Sequence, residues 1–417
     1  LLNPGGRMGF ITSGKFLKSE YGKRLREIIK ENCVVESLVD LSAQQVFGEA
    51  TTYPAIIILR KAGEDAPLHY THAPAETDLT KVPLAGIPPI TVEQTAIVKG
   101  IWPPIAKTDT LMNKLTRNTV PLGELADRVF VGLQTSADKV YILENRGESD
   151  NGMIKVYSRS LDKIIELESV LLKPLISGKD VERFVFPLPT HVLLFPYKVS
   201  GDTAELIPEE EFSSLYPRCW EYLLENRTNL ESRENGKMKH EKWYAFGRTQ
   251  NLAMHDKLKF AIPRLVHRLE AVLDRGGQFY LDNVDVGGLT LKNTSNDVYV
   301  LGLLNSSLLN YYFNRVSVAF RGGFRSANRQ YLEPLPIHIV DFSNPAEKSI
   351  HDRLVALVER MLELNKRLAP VRDTYGNERD ELLREIEKTD REIDSLVYDL
   401  YGLTEEERRI VEGESKK

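Results

Sequence analysis

Two stretches of this sequence combine cations with residues that can bring them against a phosphate or a base. In the first, from residue 233 to residue 275, basic residues surround Trp243, Tyr244 and Phe246. Cations neutralise phosphates and flat rings pack on sugars or bases, so this mixture suits a surface that contacts duplex DNA. The alternative is a solvated face with its rings turned into a core, which residue types alone slightly favour. The basic residues are Arg233, Lys237, Lys239, His240, Lys242, Arg248, Lys257, Lys259, Arg264, His267 and Arg268.

The second basic patch extends from residue 315 to residue 332 and contains no acidic residue. Gly322 and Gly323 give its loop a backbone that can approach a ligand closely. Arginine is the side chain best suited to bidentate contact with guanine or phosphate. This patch is therefore the strongest candidate for contact with a duplex, through Arg321, Arg325 and Arg329.

Other polar groupings carry weaker indications. The run Ser177-Gly178-Lys179 could bind a phosphate through backbone N–H groups and the Lys179 ammonium, but a plain turn explains it equally well. Cys33 and Cys219 are the only cysteines, which argues against a disulfide framework or a zinc site. We expect no metal site and no catalytic residue in this chain. His69 and His72 have no further ligands nearby and are better explained as exposed loop residues, and Asp282 and Asp285 are not paired with a base or with a nuclease Glu-x-Lys element.

The composition is that of an ordinary globular protein of two or three domains. Of the 417 residues, 42% are hydrophobic and 28% are charged, with a formal net charge of −5. This net charge does not by itself indicate nucleic-acid binding, so local patches must decide that question. No apolar run approaches the roughly 20 residues needed to cross a bilayer. We expect a cytoplasmic protein without a membrane partner.

The elements before residue 62 predict part of an α/β sheet. Apolar runs indicate strands at Met8–Thr12, Val34–Leu41 and Ala55–Leu59. Near-helical apolar spacing predicts a helix over Lys15–Glu31, with Ser13 as its cap. Such a half sheet would leave a bare edge, so we expect a piece of a longer protein.

Later segments predict a mixed domain followed by helices. We expect one apolar helix face over Tyr299–Phe313, a hairpin-like turn at Gly287-Gly288, and two C-terminal amphipathic helices that form an antiparallel hairpin. The predicted divisions are 1–75, 76–115 as a linker, 116–342 and 343–417.

Phe47 stands in the otherwise small and polar loop 42–53. Residue-type statistics favour its burial in the core by roughly two to one. The functional alternative is an aromatic platform beside a ligand pocket at the edge of the sheet.

Several motifs, taken in order, resemble those of Taq-type adenine-N6 DNA methyltransferases and of the fused type IIG restriction-modification enzymes. The first resemblance lies in the late motifs of the methyltransferase domain. It is carried by Leu-Leu-Asn-Pro-Gly-Gly at 1–6, Phe-Leu-Lys-Ser-Glu-Tyr-Gly-Lys-Arg-Leu-Arg at 16–26 and Val-Phe-Gly-Glu-Ala-Thr-Thr-Tyr-Pro-Ala-Ile-Ile-Ile-Leu at 46–59. Further segments resemble the target-recognition domain of the same family, namely 129–143, 172–181, 243–248, 259–264 and 303–307.

The resemblance implies a fold and a set of roles. The fold would be the C-terminal part of a Rossmann-like methyltransferase sheet, then an α+β target-recognition domain and a C-terminal helical hairpin that braces it. Phe47 would contact the flipped target adenine, so the resemblance favours this role over burial in the core. In the family the Gly-rich cofactor motif and the Asn-Pro-Pro-Tyr loop lie before the position of Leu1. S-adenosylmethionine would therefore act in the full-length enzyme, and this chain alone would neither bind it tightly nor methylate DNA.

The implied function is sequence-specific recognition of double-stranded DNA beside the N-terminal catalytic part of the same protein. DNA contacts are expected from Lys179, Lys239, Lys242, Arg248, Arg264, Arg321, Arg325 and Arg329. One alternative is a non-catalytic specificity subunit that acts with a separate methylase or nuclease, but such a subunit needs no methyltransferase strands. Another is an unrelated α/β enzyme, which the lack of a catalytic cluster disfavours.

Overall fold

The computed structural model of the chain describes residues 2–17, 19–41, 46, 54–61, 66–73, 79–92, 94, 102, 110–149 and 151–415. Phe47 lies outside these residues. The fold is mixed α/β, with separate sheets and a helical C-terminal part. No helix among the described residues is both long enough and apolar enough to span a bilayer.

The N-terminal part contains a five-stranded sheet in the order β1-β3-β2-β4-β5. Only β2 and β4 pair in parallel; the other neighbours are antiparallel. Its buried side chains include Leu38, Ile57 and Leu59, which pack with Phe16 and Trp102. The elements are β1 (Arg7–Ser13), α1 (Lys23–Asn32), β2 (Cys33–Asp40), β3 (Pro54–Lys61), β4 (Leu68–His72) and β5 (Ile90–Val92).

The predicted helix start in this part is wrong. Residues 14–17 and 20–22 form short 3₁₀ turns, and α1 begins only at Lys23, with Gly22 rather than Ser13 before it. The reason is the buried Arg26, whose guanidinium donates to the carbonyls of Phe16 (2.5 Å) and Ser19 (2.9 Å). These bonds satisfy carbonyls that a continuous helix would have bonded internally.

Strand β1 is an edge strand whose side chains are largely exposed. Met8, Phe10 and Ile11 are 39%, 57% and 46% exposed. Leu25 and Ile28 on α1 are also more than two-fifths exposed. No other described strand pairs with the outer edge of β1. This sheet therefore presents apolar surface at one side.

The middle of the chain is built on two larger sheets. A six-stranded sheet has the order β10-β9-β8-β12-β11-β18, and a four-stranded sheet has the order β17-β15-β19-β7. The elements up to the helices that cover the six-stranded sheet are α2 (Thr110–Leu115), β6 (Thr119–Pro121), α3 (Leu122–Leu125), β7 (Ala126–Val131), α4 (Asp138–Tyr141), β8 (Ile142–Glu148), β9 (Met153–Ser158), β10 (Lys163–Glu168), β11 (Leu172–Ile176), β12 (His191–Leu194), β13 (Tyr197–Ser200), β14 (Thr203–Leu206), α5 (Glu209–Leu215), α6 (Pro217–Glu225), α7 (Arg227–Glu231) and α8 (Arg233–Gly236).

The two sheets meet through a shared apolar layer that includes Phe130, Ile176, Leu281 and Val286. The remaining elements of this part are β15 (Lys259–Pro263), β16 (Leu265–Val266), β17 (Val272–Asp274), β18 (Tyr280–Leu281), β19 (Val286–Leu291), α9 (Asp297–Leu304), α10 (Ser307–Val316), β20 (Arg325–Ser326), α11 (Arg329–Leu332) and β21 (Pro336–His338).

Two predictions for this part are corrected. Gly287 and Gly288 are not a turn but lie inside β19, where they pair with both β15 and β7, and only glycine fits at 288 because a side chain there would overlap the ring of Phe130. The predicted helix over 299–313 is divided into α9 and α10. The side chain of Ser306 caps α10 by accepting from the N–H of Leu309 at 3.2 Å, and the Asn305 amide pairs with the backbone of Ala271.

The C-terminal part contains two 24-residue helices that pack on each other; the first also packs on α9 and the second on α10. Gly302 of α9 permits the close approach, since a Cβ there would lie 2.8 Å from Val358. Leu364 and Leu368 near the end of one helix meet Leu382 near the start of the next, so the two helices run antiparallel. These helices are α12 (Pro345–Leu368) and α13 (Asn377–Leu400), followed by α14 (Glu405–Ser415), which packs against α10.

Candidate nucleic-acid interface

The aromatic residues of the first basic patch belong to the core. Trp243, Tyr244 and Phe246 are 1%, 3% and 2% exposed, within the apolar cluster of the six-stranded sheet. The Tyr244 hydroxyl donates to the carbonyl of Ile207 at 2.7 Å. The inward-facing alternative is thus confirmed, and the reading of these rings as DNA-contacting is wrong. Aromatic residues beside cations do not distinguish a binding surface from a core edge.

Some cations of the same patch are also structural. The buried Arg233 donates to the carbonyls of Thr135 (2.9 Å) and Trp243 (2.6 Å). Lys259, which is fully buried, donates to Asp274 at 2.6 Å and to the carbonyl of His255 at 2.5 Å. Burial lowers the pKa of Lys259 while Asp274 opposes that shift. Neither cation can reach a phosphate.

Several separate chain segments meet where the two sheets join. The segment 132–136 lies against residues 281–283, because the Leu133 N–H donates to the carbonyl of Leu281 at 2.9 Å. The Arg248 N–H donates to the carbonyl of Gln134 at 3.2 Å, which brings residues 247–248 to the same place. A Cβ at Gly247 would overlap Ser136, so only glycine allows this approach. We call the residues 282–285, which lie at the centre, the central turn.

The central turn also receives Arg264 and the turn at 177–180. The Arg264 N–H donates to the carbonyl of Asp285 at 2.6 Å, and its guanidinium donates to the carbonyl of Asn283 at 3.2 Å. A Cβ at Gly178 would lie 3.1 Å from the Asp285 carboxylate, which places the neighbouring Lys179 beside the same turn. Lys179, Arg248 and Arg264 are distant in sequence and are brought together here.

The second basic patch is connected to this place through Arg264. Its Nε donates to Asn328 Oδ1 at 3.1 Å, and its carbonyl accepts from the Ala327 N–H at 2.9 Å. Strand β20 pairs with β16, with Val266 opposite Arg325. The two basic stretches of the sequence therefore adjoin at Arg264 and at the pairing of β16 with β20.

The predicted contact residues differ in how available they are. Lys179, Lys239, Lys242, Arg248 and Arg329 are exposed. Arg248 pairs with Glu234 at 2.8 Å and Arg329 with Glu333 at 2.6 Å. Both are exposed pairs, which stabilise a fold by no more than about 1 kcal/mol and can exchange a carboxylate for a phosphate at little cost.

Arg264 and Arg325 are half-buried, and Arg325 donates to the carbonyl of Ser317 at 3.3 Å. For Arg321 the structure describes only the backbone, in a turn whose two glycines have φ of +79° and +80°. The 177–180 turn carries a capping box, in which Asp180 accepts from the N–H and hydroxyl of Ser177 at 2.8 and 2.7 Å. Lys239 and Lys242 lie on the stretch 237–242, and no described contact links their side chains to the central turn.

Acidic groups moderate the charge of this surface. Burial raises the pKa of Asp282, and the nearby Asp285 and Asp138 raise it further, while the hydrogen bond from the Val284 N–H lowers it. The central turn is thus polar rather than uniformly positive. Among the described residues no group of three or more His, Cys, Asp or Glu side chains could hold a metal ion.

The sequence did not predict a role for two side-chain amides of this region. The side chain of Gln134 donates to Asn283 Oδ1 at 3.0 Å across the junction of the two sheets. Gln134 falls in the segment 129–143 that resembles the family, whereas Asn283 lies in none of the named segments, and no spacing rule connects positions 149 residues apart. Only the pairing of Leu133 with Asp282 at the sheet junction brings them together.

Two family models match the chain. The TaqI-like C-terminal specificity domain matches residues 173–337, and the Eco57I restriction-modification methylase matches residues 1–47. The type II restriction enzyme and methyltransferase RM.Eco57I of Escherichia coli is 26% identical over 97% of this chain and 41% of its own length. The type II methyltransferase M.XhoI of Xanthomonas vasicola is 24% identical over 99% of this chain and 68% of its own length.

A solved structure shares the fold. The type IIL restriction-modification enzyme MmeI, determined in complex with DNA, superposes with a TM-score of 0.54 at 12% identity, over 96% of this chain and 48% of that one. The chain therefore spans from two-fifths to two-thirds of the proteins that it resembles.

Proposed function

We propose that this chain, a relative of the type II restriction-modification methyltransferases with a TaqI-like specificity domain, is the part of an adenine-N6 DNA methyltransferase that recognises double-stranded DNA. The enzyme would be cytoplasmic and of the fused type IIG kind. The observation that carries the proposal is the convergence of Lys179, Arg248 and Arg264 around the central turn, within or beside the specificity domain.

The N-terminal part supports a second proposal, that this chain packs against a catalytic part of the same protein. Met8, Phe10 and Ile11 on the edge strand β1 expose apolar surface that a neighbouring strand and helix would cover. In this proposal residues 1–75 complete a methyltransferase domain, 76–115 link it to the specificity domain at 116–342, and the helices of 343–417 brace that domain. A separate specificity subunit would have no need for the sheet of β1 to β5.

The chemistry of the complete enzyme follows from this division of roles. The catalytic part would supply the Asn-Pro-Pro-Tyr loop and the site for S-adenosylmethionine, whose methyl group is transferred. Phe47, in the segment between β2 and β3, would stack on the extruded adenine and hold it for that transfer. The specificity domain would select the site and position the duplex.

Salt-dependent DNA binding tests the proposal at Arg329. This residue is exposed, and its only described ion pair is with Glu333, four residues later at the end of α11. The matched control is Lys348 on α12, an exposed cation in a pair of the same spacing with Asp352. Arg329→Gln should weaken binding to duplex and reduce the slope of log K against log salt by about one, because one phosphate contact is lost. Lys348→Gln should leave both unchanged.

The measurement is fluorescence anisotropy of a labelled duplex over a series of salt concentrations. Equal effects of the two variants, or binding that does not change with salt, would contradict the proposal. Charge reversal at Arg325 is a poorer test, since that side chain is half-buried and supports the Ser317 carbonyl.

Calorimetry tests the division into parts. Titration of this chain with S-adenosylmethionine should give no micromolar binding, whereas the chain joined to a catalytic part should bind the cofactor. Micromolar binding by the chain alone would overturn the placement of the cofactor site outside it.

A further inference from the structure

The amide pair at the junction of the two sheets has unused hydrogen-bonding capacity. A side-chain amide offers two N–H donors and an oxygen with two lone pairs. The bond from Gln134 to Asn283 uses one donor and one lone pair, and no other hydrogen bond to these two side chains is present within the described residues. Both residues are half-buried and therefore partly accessible to solvent.

The central turn that carries Asn283 is held from both sheets. The Asp282 N–H donates to the carbonyl of Ile176 at 2.9 Å, on the six-stranded side. On the four-stranded side Arg264 binds the carbonyls of Asn283 and Asp285 at 3.2 and 2.6 Å. The Val284 N–H closes the turn on Asp282 Oδ1 at 3.1 Å. A side chain on such a turn loses little freedom when it binds.

The tip of the turn exposes an apolar residue between polar ones. Val284, next to Asn283, is 68% exposed. Two cations belong to segments that contact this place: Lys179 follows Gly178, which lies against Asp285, and the Arg248 N–H donates to the carbonyl of Gln134. An amide, a methyl-bearing tip and flanking cations form the set that reads a base pair between two phosphate strands.

We propose that Asn283, oriented by Gln134 and supported by Arg264 on the central turn, reads an adenine–thymine pair of the recognised sequence. The Asn283 amide would donate to adenine N7 and accept from N6, while Val284 packs on the methyl of thymine. Gln134 and Arg264 are positioning residues, because their described hydrogen bonds hold Asn283 in place. This inference rests on the proposed function, that the chain binds DNA.

The test is selection of bound duplexes from a randomised library, followed by sequencing, with the chain as the binder. Wild type should enrich a motif. Asn283→Ala should lose the preference at one adenine–thymine position by about tenfold or more while the other positions stay. Asn283→Asp should shift that position towards cytosine, whose N4 amine an aspartate accepts from. Asn229→Ala, which removes an exposed amide on α7, should enrich the wild-type motif.

Each remaining outcome has a separate meaning. Salt-dependent binding by wild type without any enriched motif would overturn this inference and leave the proposed function standing. An unchanged motif in Asn283→Ala, or a loss at a guanine–cytosine position, would also overturn it. Absence of DNA binding by wild type would overturn the proposed function and this inference with it. Circular dichroism and retained non-specific binding establish that the variants are folded.

Discussion

The attachment of α13 to the mixed α/β part of the chain can be measured through one ion pair. Arg183 donates to Asp390 of α13 at 2.7 and 3.2 Å and to the carbonyl of Asn305 at 2.6 and 2.9 Å. The side chains of Arg183 and Asp390 are only 18% and 28% exposed. Arg360 and Glu385, which join α12 to α13 at 3.4 Å, are about half exposed and provide a matched control.

The expected energies differ because the two pairs differ in solvation. For a bidentate pair away from bulk water the attraction at an effective dielectric of 20 is about 4 kcal/mol at 4 Å, and desolvation offsets part of it. We expect a coupling energy of about 1–3 kcal/mol for Arg183 with Asp390 and at most about 0.5 kcal/mol for the control pair. Arg183→Met alone should cost about 2–4 kcal/mol, since Asp390 and the Asn305 carbonyl both lose a donor.

The assay is a double-mutant cycle with Arg183→Met and Asp390→Asn, and a parallel cycle with Arg360→Met and Glu385→Gln. Urea unfolding gives the free energies, and hydrogen exchange of residues 377–400 shows whether α13 is released. Coupling energies equal within about 0.3–0.5 kcal/mol would refute the reasoning, because burial would then not distinguish the two pairs. Faster exchange without a change in global stability would show that the helices detach as a unit.

Three further predictions concern buried charge, backbone conformation and pH. Lys259→Met should cost about 3–5 kcal/mol in urea unfolding because it leaves a buried carboxylate unpaired, while Lys257→Met, at an exposed pair, should cost under about 1 kcal/mol. Gly277→Ala should destabilise far more than Gly201→Ala, since both have φ near +60° but only a Cβ at 277 overlaps backbone; the melting temperatures of the two variants measure the difference. Burial holds the pKa of His255 well below 6.5, so stability should fall as the pH drops below about 6.5, when the unfolded chain takes up a proton that the folded chain does not. His255→Asn should flatten that fall by up to about 1.4 kcal/mol per pH unit, as urea unfolding at several pH values would reveal.

The strands of the N-terminal part could be predicted because their residue types favour buried strands. Runs such as Ala55–Leu59 are β-branched and apolar, and they form β3 with neighbours on both sides. The helix start was not predictable, because it depends on Arg26. A buried arginine that donates hydrogen bonds to carbonyls 7 and 10 residues earlier in the chain produces no periodic pattern in the sequence.

The division of the predicted helix at 299–313 has a similar cause. Asn305 and Ser306 are both fully buried, and they interrupt an apolar pattern that otherwise continues through both helices. Their polar groups are satisfied by Ala271 and by the start of α10 rather than by one continuous helix. A residue that bonds a segment 34 positions away cannot be assigned to a break from local pattern alone.

The surface region was predictable in composition but not in roles. Charge and motif order located both basic stretches, and the fold joins them through Arg264. Arg233 and Lys259 are buried, whereas Arg248 and Arg329 face solvent. The sequence does not separate these two kinds of cation, because all four belong to the same kind of mixed stretch. Burial, which a single sequence shows only through periodicity, makes that distinction.

The pairing of exposed cations with carboxylates would let an acidic chain present the proposed DNA-binding surface. Arg248 and Arg329 each have a solvent-exposed carboxylate partner, so little free energy is lost when a phosphate replaces it. Such partners lower the net charge without removing the cations from the surface.

These carboxylate partners also disfavour binding to any anion that contacts only one cation, since exchanging one exposed carboxylate for one phosphate gains little. A duplex, which offers phosphates to several cations at once, gains from every exchange and from the counterions that it releases. Arg264 has a different role, because its hydrogen bonds to Asn283 and Asn328 connect the central turn to the segment that carries Arg325.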